Sequence, residues 1–151
     1  MAEVRFYHLT DQSLEAVLPV MLERSVERGW KAVVRGTEPA RISALDTHLW
    51  TYRQESFLPH SASEYGMDDA IWLTCKTGAN SGANTLFLID GANLDDAEAG
   101  EMEMTAILFD GLDSGAVEHA RGQWRQVTAS GIRAVYWAQE RGTWVKKSES
   151  R

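Results

Sequence analysis

Thr85-Leu86-Phe87-Leu88-Ile89-Asp90 decides the fold class. Four large apolar residues in a row, without polar alternation, describe a strand covered on both faces, as the inner strands of parallel sheets are. Working outward, Ala70-Ile71-Trp72-Leu73-Thr74 and Thr105 to Phe109 read as further strands, and Ala32-Val33-Val34 as a short buried one. Val4 to Leu9 alternates apolar and polar residues and suits a strand. Ser13 reads as the N-cap of a helix reaching about Arg28, with Leu14, Val17, Leu18, Met21, Leu22 and Val26 at helical spacing and Gly29 as its stop. Pro19 falls inside that pattern and implies a bend or a later start. Pro39, after Thr37 and Glu38, opens a second helix with Ile42, Leu45 and Leu49 on its inner face. Asp113 or Ser114 caps a late helix to about Ser130, striped by Ala116, Ala120, Trp124 and Val127 and ended by Gly131. Ile132 to Gln139 reads as a strand, Arg141-Gly142 as a turn and Thr143-Trp144-Val145 as a terminal segment.

Strands that alternate with helices, and central strands that are continuously apolar, give an α/β class: a mixed, largely parallel sheet with helices on both faces. The chain of 151 residues fits a single domain. Its expected bounds are 1–147, with 148–151 as a disordered tail. Thr51 to Asp69 reads as loop, Lys76 to Asn84 as turn or loop, and Asp95 to Glu103 as an acidic, exposed segment.

Composition narrows the function classes. The formal net charge is −7, a poor match to a phosphate backbone, which needs clustered Lys and Arg. The one cysteine, Cys75, lies in an apolar run and cannot form an internal disulfide. The N-terminus carries no signal-peptide pattern, and no apolar run approaches membrane-spanning length, so a cytoplasmic protein is expected.

Motifs for chemistry are sparse. The turn Leu9-Thr10-Asp11-Gln12-Ser13 after the first strand holds no glycine for close approach to a pyrophosphate. Lys76-Thr77-Gly78 has Lys and Gly in the wrong order for a phosphate-binding loop. His8, His48, His60 and His119 show no metal-ligand spacing, and His8 reads as a satisfied core or edge residue. The acidic run from Asp95 to Glu103 lacks the central glycine of a calcium loop and reads as a solvated face. Asn80-Ser81-Gly82 is no nucleophile elbow, and Cys75 has no activating base. No catalytic residue, cofactor or metal is expected.

Leu45-Asp46-Thr47-His48-Leu49-Trp50, followed by Thr51-Tyr52-Arg53-Gln54-Glu55-Ser56-Phe57-Leu58-Pro59-His60, is more specific. Large apolar residues stand there in a polar, turn-prone setting, as in a docking surface. The stretch resembles the chi subunit of bacterial DNA polymerase III holoenzyme, whose members carry an L-D-x-x-L-W helix end and then a loop close to E-S-F-x-P-H. Arg5-Phe6-Tyr7-His8-Leu9, the strand start Ala70-Ile71-Trp72, the strand Leu86-Phe87-Leu88-Ile89 and the helix around Ala120-Arg121 also fit.

The resemblance implies a Rossmann-like topology and an accessory subunit without enzymatic activity. It implies coupling of the clamp loader, through the psi subunit or an equivalent, to the acidic C-terminal tail of single-stranded DNA-binding protein, which ends in a Pro-Phe carboxylate. DNA contact would be indirect, and no membrane would be involved. By the resemblance, Trp50 belongs to the tail pocket, Arg121 pairs with the tail carboxylate and Arg125 adds a cation one turn on. Val117 stands where the family often has Lys, a loss of about 0.2–1 kcal/mol for an exposed pair. Phe57, with Leu58 and Pro59, falls on the psi or clamp-loader surface. The competing readings are a degenerate nucleotide-binding domain or enzyme on the same fold, and direct binding of single-stranded DNA.

Overall fold

The computed structural model describes residues 2–51, 60–61, 70–76 and 82–150, with backbone alone at 50–51 and 60–61. The strands are β1 (Glu3–Leu9), β2 (Ala32–Arg35), β3 (His60–Ser61), β4 (Ile71–Thr74), β5 (Thr85–Leu88), β6 (Met104–Asp110), β7 (Arg133–Glu140) and β8 (Thr143–Glu149). The helices are α1 (Leu14–Glu27), α2 (Pro39–Thr51), α3 (Asp96–Glu101) and α4 (Ser114–Ala129). Among the described residues one eight-stranded sheet runs in the order β3-β4-β2-β5-β6-β1-β7-β8. Every neighbouring pair is parallel except β7 with β8. The α/β class read from the buried strands therefore holds, and β2, β4 and β5 are buried at every position.

Because strand side chains alternate, the sheet carries two cores. Ala32, Val34, Phe87 and Leu108 face Leu18 and Leu22 of α1 and Leu45 and Leu49 of α2. Val33, Leu86, Ile107 and Phe6 face Ala99 of α3 and Ala120 and Val127 of α4. So α1 and α2 cover one face, and α3 and α4 the other.

Pro19 neither breaks α1 nor delays it. Proline has no N–H to offer the Glu15 carbonyl four residues back. His48 of α2 supplies the missing donor instead, its Nε2 lying 2.7 Å from the Glu15 oxygen. The bond ties α2 to α1 and requires the hydrogen on Nε2. His48→Ala is expected to lower stability by about 1–2 kcal/mol. Pro19→Ala should then help more in the His48→Ala background than in the wild type, since the restored amide can close the helix bond. Equal benefit in both backgrounds, in urea unfolding, would show that His48 does not serve the Glu15 carbonyl.

Three expectations change. Residues 95–103 are a solvated face only in part: Asp95, Glu101 and Glu103 are exposed, but Asp95 caps α3 by accepting from the Ala97 and Glu98 amides, and Glu98, Ala99 and Met102 are buried. The charge of Glu98 turns inward because Arg35, buried on β2, faces the same side of the sheet. Its Nη1 and Nη2 lie 2.5 Å and 2.9 Å from the two Glu98 carboxylate oxygens. Nor do residues 148–150 form a loose tail. β8 pairs with β7 as far as Glu149, and the Ser150 amide donates to the Ala134 carbonyl at 2.8 Å. The two residues of β3 lie in a stretch the sequence reads as loop.

Candidate partner-binding surfaces

α4 starts where its sequence says it should: Asp113 Oδ1 accepts from the Gly115 and Ala116 amides at 2.9 Å and 3.3 Å. It ends before Gly131, whose φ of 82° suits glycine. Ala120, Gln123 and Val127 point at the sheet. Along the edge of that buried stripe run Val117 and Trp124, both half-buried against the same core. Trp124 meets Phe6 edge-on at 5.4 Å between ring centroids and Tyr136 at 6.0 Å.

The cations stand beside this apolar strip. Arg121, one turn after Val117, keeps 61% of its side chain exposed and lies 3.1 Å from the Glu118 carboxylate. Arg125, one turn further, is exposed and has no carboxylate partner among the described residues. Burial pushes the Tyr136 hydroxyl pKa up, and the Arg121 charge draws it part of the way back, which marks the guanidinium as near that ring. The Tyr136 hydroxyl also shares a 2.7 Å hydrogen bond with His8 Nδ1, so His8 is satisfied as read. Two guanidiniums beside Val117, Trp124 and Tyr136 can receive a carboxylate together with a bulky apolar side chain. Trp124 was legible as a neighbour of Arg121 from its i, i+3 spacing. Tyr136 was not, because only the sheet brings β7 under α4.

Trp50 stands elsewhere. α2 packs over β4 and β3, and α4 over β6, β1 and β7 on the opposite face. From β4 to β1 is four strand spacings, about 19 Å, and the sheet lies between the helices. The α2 backbone at residue 50 and the α4 backbone at Arg121 therefore lie on opposite faces of the sheet. The Trp50 side chain lies outside the described residues, as do Phe57, Leu58 and Pro59.

A cleft of about 860 Å³ opens at the C-terminal ends of β1, β5 and β6, where doubly wound sheets bind their ligands. Its walls carry Asp11, Glu15, Asp90, Asp110 and Asp113, a lining that repels phosphate. Arg41 is committed to Glu15 and to Asp90, the latter at 3.0 Å. The amides of Thr10, Asp11 and Gln12, which a phosphate would need at this turn, all donate to the Gln139 side-chain oxygen at 3.0, 3.2 and 3.2 Å. The nucleotide reading loses its anchor there.

Residues 1–134 match the family described as DNA polymerase III chi subunit, HolC. The chain belongs to the DNA polymerase III chi subunit family. The DNA polymerase III subunit chi of Pseudomonas aeruginosa is 33% identical over 67 residues, a stretch that covers 42% of this chain and 47% of that protein. The chain thus aligns with about half the length of that relative.

The chi-family match contains α2 and α4 whole and ends two residues into β7. Within it, Cys75 packs against the core shared by α1 and α2, and burial, with Glu38 nearby, pushes its thiol pKa up. A raised pKa lowers the thiolate fraction on which nucleophilicity depends. Among the described residues no three of His, Cys, Asp and Glu are grouped to hold a metal ion. Nor is any described helix long and apolar enough to cross a membrane.

Proposed function

We propose that this chain is a non-catalytic accessory subunit of a replicative polymerase holoenzyme. It links the clamp loader, through psi or an equivalent, to the C-terminal tail of single-stranded DNA-binding protein. The observation that carries the reading is the exposed pair Arg121 and Arg125 beside half-buried Val117 and Trp124 on α4. Arginine holds a terminal carboxylate in bidentate fashion, and the apolar strip takes the terminal Phe ring. In this reading Trp124 and Tyr136 take the role that the family resemblance gave to Trp50. Trp50, at the end of α2, with Phe57, Leu58 and Pro59, is then assigned to the clamp-loader partner, so that the two partners do not compete.

Calorimetric titration with a peptide copy of the tail tests this. Arg121→Ala should weaken binding at least tenfold, about 1.4 kcal/mol, and removal of the terminal Phe should weaken it more. Trp50→Ala should leave peptide binding within twofold and weaken only the clamp-loader partner. A truncated peptide that binds as well as the complete one would sink the α4 assignment.

A further inference from the structure

A second, smaller pocket lies on the other face of the sheet, where α1 passes the β7–β8 hairpin. It encloses about 200 Å³, below the roughly 300–1,000 Å³ of small-molecule sites and of the right order for one large side chain. Tyr7, Met21, Trp137 and Trp144 wall it, with Trp144 edge-on to Tyr7 at 5.1 Å between ring centroids. The charged residues that line it are Arg5, Arg24 and Arg28, with no carboxylate among them. In a chain of net charge −7 this is a local reversal of sign.

The rim is partly uncommitted. Arg5 is paired with Glu3 at 2.5 Å. Arg24, in the last turn of α1, and Arg28, which caps its C-terminus, are exposed, and neither has a carboxylate partner among the described residues. Arg28 instead rests over the Trp30 ring, 4.9 Å from its centroid. Cations in a last helical turn also suit the helix dipole, but the dipole does not call for an aromatic cavity beside them. The Trp137 indole N–H is buried and finds no acceptor among the described residues, an arrangement that costs free energy unless something supplies the acceptor. Both tryptophans come from beyond residue 134, where the family match ends.

We propose that this groove docks an acidic peptide segment through one bulky apolar side chain. That side chain fills the pocket between Trp137 and Trp144, and flanking carboxylates lie against Arg24 and Arg28. Three arginines around a small open pocket on an acidic protein suit a short run of carboxylates better than an extended phosphate backbone, which needs a track of cations. The site is separate from α4, lies on the opposite face and needs no free chain terminus.

The test uses the full chain and the blocked peptide acetyl-Asp-Glu-Asp-Phe-Asp-Glu-amide, which offers no terminal carboxylate to Arg121. Calorimetry gives the affinity, and indole N–H resonances in ¹⁵N NMR report the place. The expected result is a shift of the Trp137 and Trp144 indole signals. The Arg24→Ala/Arg28→Ala double variant should lose at least tenfold in affinity, with its urea midpoint unchanged because both side chains are exposed. Arg121→Ala should bind within twofold of the wild type, and a peptide with Ala for Phe should not bind. The proposal is overturned if the double variant binds normally, if Arg121→Ala abolishes binding, or if the peptide leaves both indoles unmoved. It is equally overturned if oligodeoxythymidylate moves those indoles while the peptide does not. In each case the α4 reading stands or falls on its own titration.

Discussion

Glu98→Ala is expected to cost about 3–5 kcal/mol of unfolding free energy, the largest loss from one substitution outside the apolar core. The variant leaves the Arg35 guanidinium in a site where 3% of its side chain is exposed, without the carboxylate that bridges it in bidentate fashion. Desolvation of a charge is tolerated only while its partner is present. Arg35→Ala should therefore cost a similar amount. Replacing both, as in Arg35→Met with Glu98→Leu, should recover most of the loss, because two apolar side chains of similar volume avoid the desolvation altogether. Urea unfolding of the three variants at neutral pH decides the matter. Single variants that lose less than about 1 kcal/mol would mean that the pair behaves as an exposed one. Because α3 is short, the same loss should appear locally as faster amide exchange from Asp96 to Glu101.

Gln139→Leu is expected to cost about 2–3 kcal/mol, from the unsatisfied-donor cost reduced by partial rehydration of the turn. The Gln139 side-chain oxygen gathers the amides of Thr10, Asp11 and Gln12, and its nitrogen donates to Gln12 Oε1 at 3.0 Å. The side chain is 5% exposed, so leucine fits the space and removes only the bonds. The β7–β8 turn should loosen with it, since Gly142 N donates to Asp11 Oδ2 at 2.8 Å and Thr10 Oγ1 to the Gln139 carbonyl at 3.1 Å. Gln139→Glu keeps the acceptor and should lose less. The comparison of Leu with Glu in thermal unfolding separates acceptor loss from packing. If both lose equally, the gathered amides are not what the side chain stabilises.

Under the proposed function, the two partner surfaces lie on opposite faces of the sheet. The Leu45–Trp50 helix end sits over β4 and β3 at one edge of the sheet, while Arg121 and Arg125 sit over β1 and its neighbours on the other face. Under the proposed function, a peptide on α4 and a protein at α2 would be held together without steric exchange. Phe57, Leu58 and Pro59 follow α2 in sequence but lie outside the described residues.

Much of this was legible in the chain. Leu86 to Ile89 declares a strand buried on both faces, Asp113 and Gly131 bracket α4, and Pro39 opens α2, because each rests on local backbone chemistry. The family was legible too, in the order of residues from Leu45 to His60. What the sequence could not reveal depends on contacts between residues far apart along it. Glu98 looks like one more solvated acid until β2 brings Arg35 opposite it. Pro19 looks like a helix breaker until His48, on another helix, serves the carbonyl it leaves open. Nor does the sequence say that α2 and α4 cover opposite faces until strand order puts the sheet between them. Sequence determines which elements form and what each surface residue can offer. Only the crossover connections and the alternation of strand side chains decide which face each helix covers, and hence which of those residues can meet one ligand.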